Sequence, residues 1–294
     1  MKNTTALIVG GAGAVGTLFC RLLLASYQHV TVVDLKCDEA KKVAGVEYLQ
    51  CDINDPSAVK KLRASNLILL TTPEEAAIEF IKSSGKLLLP GQCLIDTMSV
   101  KSTVVHHLQE IADNIEVLSI NPMFGPSLGF KNQSIAFVEV NNGPISTNFL
   151  SMICEAGASV VAFTAEEHDR YTASTQVATH TAILIFGMTL EKMNYNSSLA
   201  KPIWTPPHKA LLALLARMLS ADPEVYRDIQ ASNPYAEEAR QKMGNSLDEL
   251  NANIMEGYPE QFNQLFEQLK PVLNPHTEVL SELSQSIFEQ LNLD

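Results

Sequence analysis

The chain has 294 residues, 46% of them hydrophobic and 18% charged, a composition that supports a sizeable core and excludes a disordered protein. Its length permits one large domain or two of ordinary size. The formal net charge of −12 disfavours nucleic acid and anionic membrane surfaces as partners. The same charge would repel an anionic substrate at long range, so the binding site of such a substrate would have to contain an Arg or Lys.

The five cysteines are scattered and lack the paired spacing of a zinc site or a disulfide framework. They favour a reducing, cytoplasmic location and give no indication of a bound metal. The beginning of the chain lacks the pattern of a secretory signal. The best candidate for a membrane-spanning stretch, Thr181–Leu190, is too short to span a membrane and is typical of a buried helix.

Short apolar runs alternate with helical patterns in the first half of the chain. This alternation is typical of an α/β fold, here a Rossmann-type, doubly wound, mostly parallel sheet covered by helices on both faces. The predicted strands are Ala6–Val9, Val30–Val33, Leu67–Leu70, Cys93–Ile95, Val117–Ile120, Ile135–Val140 and Val160–Phe163. The predicted helices are Val15–Ser26, Pro56–Ala64, Glu74–Ser83, Lys101–Ala112 and Ile145–Ala156.

Only helical patterns follow Thr164, so we expect an NAD-binding domain over 1–165 and a helical domain over 166–294. Thr164 and Glu167 have the spacing of a capping box, which predicts a helix start. Asn194–Pro207 is predicted to be a loop. The predicted helices are Glu166–Met193, Lys209–Ser220, Pro234–Glu256 and Pro259–Leu273.

The apolar run Ala210–Ala216 lies within one of these helices and would be hydrophobic around most of its circumference. Such a helix has to be buried on most faces. A partner subunit and a tight monomeric bundle would both satisfy this requirement.

A dinucleotide fingerprint follows the first predicted strand. Gly11 permits a tight turn, Gly13 lets the backbone approach a pyrophosphate, and Gly16 lets the next helix pack closely on the sheet. Ala14 and Val15 open that helix, whose free N–H groups would face the phosphates. The strand–turn–helix context favours a nucleotide site over a purely structural glycine turn.

Asp34 ends the second predicted strand, where a carboxylate would bind the adenosine ribose hydroxyls and disfavour a 2′-phosphate. NAD is therefore favoured as the cofactor, although the neighbouring Lys36 leaves NADP open. Thr71, Thr72 and Pro73 follow the strand Leu67–Leu70, at the edge of the sheet where a dinucleotide binds.

Three further segments carry polar residues in distinctive patterns. Asp96–Ser102 reads D-T-M-S-V-K-S, Asn121–Pro126 reads N-P-M-F-G-P, and Glu166–His180 begins E-E-H-D and ends Q-V-A-T-H. The first two follow predicted strands and so lie at the same sheet edge as the nucleotide. Gln176 and His180 are four positions apart and should share a helix face.

Together these motifs closely resemble the prephenate and arogenate dehydrogenase family. The family pattern is a Rossmann fingerprint, D-x-x-S-V-K, H-P-M-F-G-P, and E-E-H-D followed by Q-x-x-x-H. The resemblance covers nearly the whole chain and implies a homodimer formed through the helical half. It also implies oxidative decarboxylation: ring carbon C4 of a cyclohexadiene loses hydride to the nicotinamide, the C1 carboxylate leaves as CO₂, and the ring becomes aromatic.

The resemblance also implies roles for particular residues. Ser99 would support the C4 substituent, Met98 would contact the cofactor, and Gln176 and His180 would bind substrate. Arg217 falls on the arginine that binds a substrate carboxylate, and Lys209 falls on another basic position. Each residue also has a structural alternative: an ion pair for Arg217, a core histidine for His180, a helix N-cap for Ser99. His168 is interpreted as architectural.

The chain departs from the family pattern at Asn121, where the family has the histidine that accepts a hydrogen bond from the C4 hydroxyl. An asparagine can accept a hydrogen bond but cannot take a proton near neutral pH. We weigh three explanations. The C4 substituent is an amine, so that the substrate is 4-amino-4-deoxyprephenate; the enzyme is an ordinary prephenate or arogenate dehydrogenase; or the chain is a non-catalytic NAD-binding sensor.

The first explanation fits the chemistry best. An amine lone pair is a stronger electron donor than a hydroxyl and can expel hydride with less help from a base. The candidate catalytic residues are then Asn121 and Ser99, and the product is 4-aminophenylpyruvate, a compound of secondary metabolism.

Overall fold

The computed structural model describes residues 4–255 and 259–291. These residues form two compact units. The first comprises the described residues up to Tyr171 together with Ser232–Pro234, and the second comprises Thr172–Ala231 and the described residues from Tyr235 onward. The division therefore falls inside the helical segment that follows Thr164.

An eight-stranded sheet forms the centre of the first unit. Its strands are β1 Thr5–Val9, β2 His29–Asp34, β3 Val46–Gln50, β4 Leu67–Leu70, β5 Cys93–Asp96, β6 Glu116–Pro122, β7 Ser134–Asn141 and β8 Ser159–Ala162. The order is β3-β2-β1-β4-β5-β6-β7-β8, and only β6 and β7 pair antiparallel. The first six strands thus have the order of a dinucleotide-binding fold, which confirms the predicted mostly parallel α/β sheet.

Six helices flank this sheet: α1 Ala14–Leu23, α2 Pro56–Ala64, α3 Glu74–Ser84, α4 Ser102–Gln109, α5 Pro144–Glu155 and α6 Ala165–Thr172. Successive strand residues alternate between the two faces, so Ile8 packs with Phe19 and Phe149 on one side while Leu7 packs with Leu62 on the other. Both faces are buried, which explains why the central strands are almost wholly apolar.

The capping box at the start of α6 forms as predicted. The Thr164 hydroxyl accepts from the backbone N–H of Glu167 at 3.2 Å, and the Glu167 carboxylate accepts from the backbone N–H of Thr164 at 2.9 Å. This reciprocal pairing fixes where α6 begins.

Helices make up the chain beyond β8 in the part that the structure describes. After α6, a π-helical segment, Ala173–Ala178, leads directly into α7. The remaining bounds are α7 Thr179–Lys192, α8 Ser197–Ala200, α9 Pro206–Leu219, α10 Pro223–Ser232, α11 Ala236–Met255, α12 Pro259–Leu273 and α13 Thr277–Gln290.

Several sequence predictions for this half were wrong or incomplete. The segment predicted as a loop, Asn194–Pro207, contains the short helix α8, and no bounds were predicted for α10 and α13, although both lie in the part predicted to be helical. The helix predicted from Pro234 begins at Ala236, and its predicted end at Glu256 lies outside the described residues. No helix in 4–255 or 259–291 is long and apolar enough to cross a membrane.

The second unit exposes many large apolar side chains. On α9, Leu214 is 44% and Leu219 is 71% exposed, whereas Met218 is buried. Exposed apolar residues continue along α11, α12 and α13. Within one chain, α9 is therefore not enclosed by a tight monomeric bundle, and its apolar character calls for another covering surface.

Candidate active site

In the loop between β1 and α1, two glycines lie so close to neighbouring atoms that neither could carry a side chain. A Cβ on Gly11 would lie 2.7 Å from Val32 Cγ2, and one on Gly16 would lie 2.4 Å from the Cα of Gly11. These distances agree with the predicted tight turn and close helix packing. Gly10, outside the predicted set, has a φ of +75° and is also sterically restricted.

Gly13 differs from the other fingerprint glycines because the protein itself does not require a glycine there. A Cβ on Gly13 would meet only the Gly10 oxygen, at an ordinary 3.7 Å, and Gly13 is exposed. It is the N-cap of α1 and provides no side chain for the first free N–H groups, those of Ala14 and Val15 among them. This open space above a helix N-terminus fits the pyrophosphate of NAD.

Asp34 lies at the carboxyl end of β2 and is hydrogen-bonded to this loop. Its carboxylate accepts from the backbone N–H of Ala12 at 3.0 Å and from that of Lys36 at 3.1 Å. Each oxygen keeps a further lone pair that can accept from a ribose hydroxyl. The predicted nucleotide residues Gly11 and Asp34 are therefore brought together as expected.

Residues Thr71 to Pro73 also border the glycine loop. The Thr71 hydroxyl donates towards the carbonyl oxygens of Val9 and Gly10, at 3.2 and 3.0 Å. The Thr72 hydroxyl oxygen is buried and has no hydrogen-bond partner among the described residues. Pro73 is exposed and precedes the first turn of α3. A buried hydroxyl without a partner is typical of a ligand site.

The ends of β5 and β6 bring Ser99 and Asn121 together. β5 and β6 are parallel neighbours, and Asn121, 2% exposed, donates from Nδ2 to the Ser99 carbonyl oxygen at 3.4 Å. Ser99 is half-buried. Helix α4 begins at Ser102 with Lys101 as its N-cap, so the N-cap alternative for Ser99 is wrong. The Met98 side chain is 5% exposed and packs in the core.

A buried polar network extends from Asn121 to the start of α4. Asn121 Nδ2 lies 3.1 Å from His168 Nε2, and His168 Nδ1 lies 2.8 Å from Asp169 Oδ1. The Asp169 carboxylate also accepts from the backbone N–H groups of Lys101 and Ser102, at 2.8 and 2.7 Å. His168 is therefore a direct partner of the candidate catalytic asparagine, which the architectural interpretation of this residue did not include.

Lys101 is a fully buried cation in the same network. Its Nζ donates to Asp96 Oδ1 at 2.9 Å and to the carbonyl oxygen of Ile120 at 2.6 Å. These bonds join the end of β5 to the residue just before Asn121. Burial lowers the pKa of Lys101, and the Asp96 carboxylate opposes that shift.

Within the network, His168 and Asp169 each have one favoured charge state. Burial lowers the pKa of His168 and thus favours the neutral imidazole. Burial tends to raise the pKa of Asp169, but hydrogen bonds from His168, Ser102 and Lys101 outweigh it and hold that pKa below its usual value. The arrangement is therefore a neutral histidine between an ionised carboxylate and an amide.

In the second unit, Gln176 lies within the π-helical segment and His180 at the start of α7. Gln176 Oε1 and His180 Nδ1 are buried without a hydrogen-bond partner among the described residues. His180 packs edge-to-face on Tyr226 with ring centroids 4.9 Å apart, and burial lowers its pKa. The sequence predicted a regular helix here. π turns recur at functional sites.

The two predicted basic residues of this unit lie on α9. Arg217 is exposed in its last turn, and Lys209 is half-buried in its first half. A cavity of about 310 Å³ lies beside the C-terminal part of this helix and is lined by Leu184, Met218, Tyr226 and Arg227 among others. Arg217 is not among the residues that line it.

Two sequence-family models match this chain. One, described as the nucleotide-binding domain of prephenate dehydrogenase, matches residues 19–138, and the other, described as its dimerization domain, matches residues 164–270. The chain is 38% identical over 288 residues to a 4-amino-4-deoxyprephenate dehydrogenase of Streptomyces pristinaespiralis, and the alignment covers 97% of each protein. It is 28% identical to arogenate dehydrogenase 1 of Arabidopsis thaliana over 85% of this chain and 36% of that protein.

Solved structures show the same fold. The prephenate dehydrogenase of Aquifex aeolicus, in complex with hydroxyphenyl propionate and NAD⁺, superposes with a TM-score of 0.72 at 18% identity, covering 95% of this chain and 99% of that one. The Synechocystis arogenate dehydrogenase superposes with a TM-score of 0.66 at 16% identity, covering 93% and 100%.

Proposed function

The chain belongs to the prephenate dehydrogenase family of NAD-dependent dehydrogenases, and we propose that it oxidatively decarboxylates 4-amino-4-deoxyprephenate. The products are 4-aminophenylpyruvate, CO₂, NADH and a proton. The observation that carries the proposal is Asn121, whose amide occupies the position where the family pattern has a histidine. Its burial and its hydrogen bonds to Ser99 and His168 support a site that holds this amide in one orientation.

The chemistry of an amine explains why an asparagine suffices at this position. The C4 ammonium loses its proton to solvent, and the nitrogen lone pair then expels hydride as an iminium forms on the substrate ring. Bound NAD would supply the hydride acceptor. The bond between C1 and the carboxylate breaks, CO₂ leaves, and its electron pair makes the ring aromatic and neutralises the iminium.

The side chains of the protein accept a hydrogen bond from the C4 amine and orient the substrate. None of them has to remove a proton. Asn121 Oδ1 accepts an N–H of the C4 amine, and an amide oxygen does so without the charge that a protonated imidazole would bring near an ammonium group. The Ser99 hydroxyl supports the same substituent. Gln176, His180, Lys209 and Arg217 bind the remainder of the substrate, and the fixed charge of Arg217 suits a carboxylate.

Gly11, Gly13, Gly16 and Asp34 would hold the cofactor, with Ala14, Val15, Thr71, Thr72, Pro73 and Met98 beside it. The side chain of Asp34 at the end of β2 favours the ribose of NAD over the 2′-phosphate of NADP.

We also propose that the active form is a cytoplasmic homodimer joined through the helical unit. The match to a dimerization domain and the exposed apolar side chains of α9 and α11–α13 support this assembly.

The test is a panel of three substrates, namely prephenate, arogenate and 4-amino-4-deoxyprephenate, supplied with NAD while NADH absorbance is followed. We expect kcat/KM to be at least tenfold higher for the amino compound than for prephenate. Fast turnover of prephenate with none of the amino compound would instead identify an ordinary prephenate dehydrogenase. Bound NAD with no turnover of any substrate would favour a sensor.

A substitution at position 121 directly tests whether Asn121 selects the C4 substituent. Asn121→His should raise kcat/KM for prephenate and lower it for the amino compound, because it introduces a base and a chargeable ring. The exposed His106 on α4 offers a control, His106→Gln, which should leave both values unchanged. An unaltered substrate preference in Asn121→His would mean that position 121 does not contact C4.

A further inference from the structure

The side-chain amide of Asn121 faces two groups on its nitrogen side. Nδ2 lies 3.4 Å from the Ser99 carbonyl oxygen and 3.1 Å from His168 Nε2. A carbonyl oxygen can only accept, so the NH₂ end has to face it. Oδ1 makes no hydrogen bond with any of the described residues, and it is not fully buried. The acceptor end of the amide is therefore left for another molecule.

The proton on His168 is fixed by the group on its other side. Nδ1 lies 2.8 Å from Asp169 Oδ1, and the Asp169 carboxylate accepts two backbone N–H groups besides. An ionised carboxylate has no proton to donate, so Nδ1 carries the imidazole proton. In the neutral ring, Nε2 then presents a lone pair to Asn121 Nδ2.

We propose that His168, held by Asp169, is a positioning residue that fixes the Asn121 amide with Oδ1 towards the substrate, so that the site selects a hydrogen-bond donor on C4. This inference rests on the proposed function, since it assigns the free oxygen to the C4 substituent. His168 is 1% exposed, and its two ring nitrogens face Asn121 and Asp169. Its effect is exerted through the orientation of one amide.

Protonation of His168 would reverse this orientation. A proton on Nε2 would face the Asn121 NH₂ group, donor against donor, and the amide would have to rotate and direct Oδ1 to His168. The substrate would then meet a donor, and the Ser99 carbonyl oxygen would lose its partner. The amide orientation therefore depends on the neutral ring.

The charged and titratable groups facing His168 come from three places: Asp169 on α6, Asp96 at the end of β5, and Lys101 at the start of α4. Burial and Lys101 favour the neutral ring, while the two carboxylates favour the charged one. The balance lowers the pKa of His168, so the acceptor orientation is present at neutral pH and is lost in acid.

Two substitutions distinguish an effect of His168 on the orientation of the Asn121 amide from an effect on packing alone. His168→Gln places an amide near the position of Nε2 and so keeps a possible acceptor that does not titrate, whereas His168→Leu removes the acceptor. We expect His168→Leu to lower kcat/KM for the amino substrate about tenfold, the equivalent of one hydrogen bond of about 1.4 kcal/mol, with the KM for NAD unchanged. His168→Gln should recover most of the loss, and its kcat/KM should fall less steeply than that of wild type as the pH drops below the ordinary histidine value of about 6.5, because only the ammonium group of the substrate then titrates.

A spectroscopic measurement tests the same inference without a substrate. In protein labelled with ¹⁵N-histidine, two-bond correlations should show the Nδ1–H tautomer for His168 at pH 7.5, assigned by the loss of its signals in His168→Gln. His106→Gln serves as the matched control for both the kinetics and the spectra.

The Nε2–H tautomer, or a His168→Leu variant as active as the His106→Gln control, would overturn the inference. If His168→Leu fails to fold, the pH profile of His168→Gln decides: a decline of kcat/KM in acid as steep as that of wild type contradicts the proposal. A wild-type preference for prephenate would refute the proposed substrate alone, because the tautomer and the decline in acid can still be measured with prephenate.

Discussion

The Oδ2 atom of Asp169 accepts a hydrogen bond from the backbone N–H of Ser102 at 2.7 Å, although the two residues are 67 positions apart in the sequence. The carboxylate thereby satisfies the first free N–H groups of α4, as an N-cap side chain would. It also joins the D-x-x-S-V-K segment to the E-E-H-D segment. The two motifs thus form one structural element beside Asn121.

Loss of the Asp169 charge should destabilise the first unit. Asp169→Asn keeps one acceptor oxygen but turns an NH₂ group towards the donors of Lys101, Ser102 or His168. We expect the free energy of unfolding to fall by about 2–3 kcal/mol, the cost of leaving buried donors unsatisfied. Urea denaturation measures this, with Asp113→Asn at an exposed position as the control. Equal stability of the two variants would contradict the role of Asp169.

Two glycines of the fingerprint should respond differently to alanine. Gly13→Ala should leave the free energy of unfolding within about 0.5 kcal/mol of wild type and raise the KM for NAD, because only a ligand needs that space. Gly16→Ala should destabilise the protein, since its Cβ would lie 2.4 Å from a backbone atom. Thermal unfolding with NAD titration measures both. An unchanged KM for NAD in Gly13→Ala would mean that the pyrophosphate does not pass there.

The pKa of His168 predicts a stability change in acid. The pKa is lowered by burial, so the unfolded chain takes up a proton below about pH 6.5 while the folded protein still holds the ring neutral. Stability should therefore fall as the pH drops through that value and level off below the folded pKa. His180, whose pKa is lowered in the same direction, contributes to the wild-type curve.

The contribution of His168 is isolated by comparing wild type with His168→Gln between pH 7.5 and 5.5. We expect a shallower decline of the unfolding free energy in the variant. If the unfolding free energies of the two proteins had the same pH dependence, His168 would take up its proton at the same pH in the folded and the unfolded chain.

Arg217 should affect substrate binding more than chemistry. If it binds a carboxylate, Arg217→Ala should raise the KM for the substrate about tenfold and change kcat little, since it removes ground-state and transition-state binding alike. Steady-state kinetics at saturating NAD measures this, with the exposed Lys242→Ala as a charge-matched control. A KM equal to that of the control would show that Arg217 does not contact the substrate.

The sequence predicted most of the sheet because its strands are marked by local patterns. Helix α2 was predicted with its observed bounds, Pro56–Ala64, because a proline and a capping position mark its start. Strand β3, Val46–Gln50, was missed because it pairs only with β2 and its side chains are half-exposed. An edge strand carries little of the apolar signal that identifies its neighbours.

The placement of Gly11, Gly16 and Asp34 around one loop was predictable, because their spacing in the sequence determines it. The hydrogen bonds from Asn121 to His168 and from the backbone N–H of Lys101 to Asp169 were not, because they join segments that meet only in the folded protein. The E-E-H-D motif pointed to the right segment but could not tell that His168 faces Asn121. Likewise, nothing local in D-T-M-S-V-K indicates that Lys101 is a buried cation.

Selection of an amine on C4 by the Asn121 site is measured by an internal competition between the two substrates. The enzyme receives equal concentrations of prephenate and 4-amino-4-deoxyprephenate with limiting NAD, and the two products are separated and counted. We expect 4-aminophenylpyruvate to exceed 4-hydroxyphenylpyruvate at least tenfold. An excess of 4-hydroxyphenylpyruvate would contradict it.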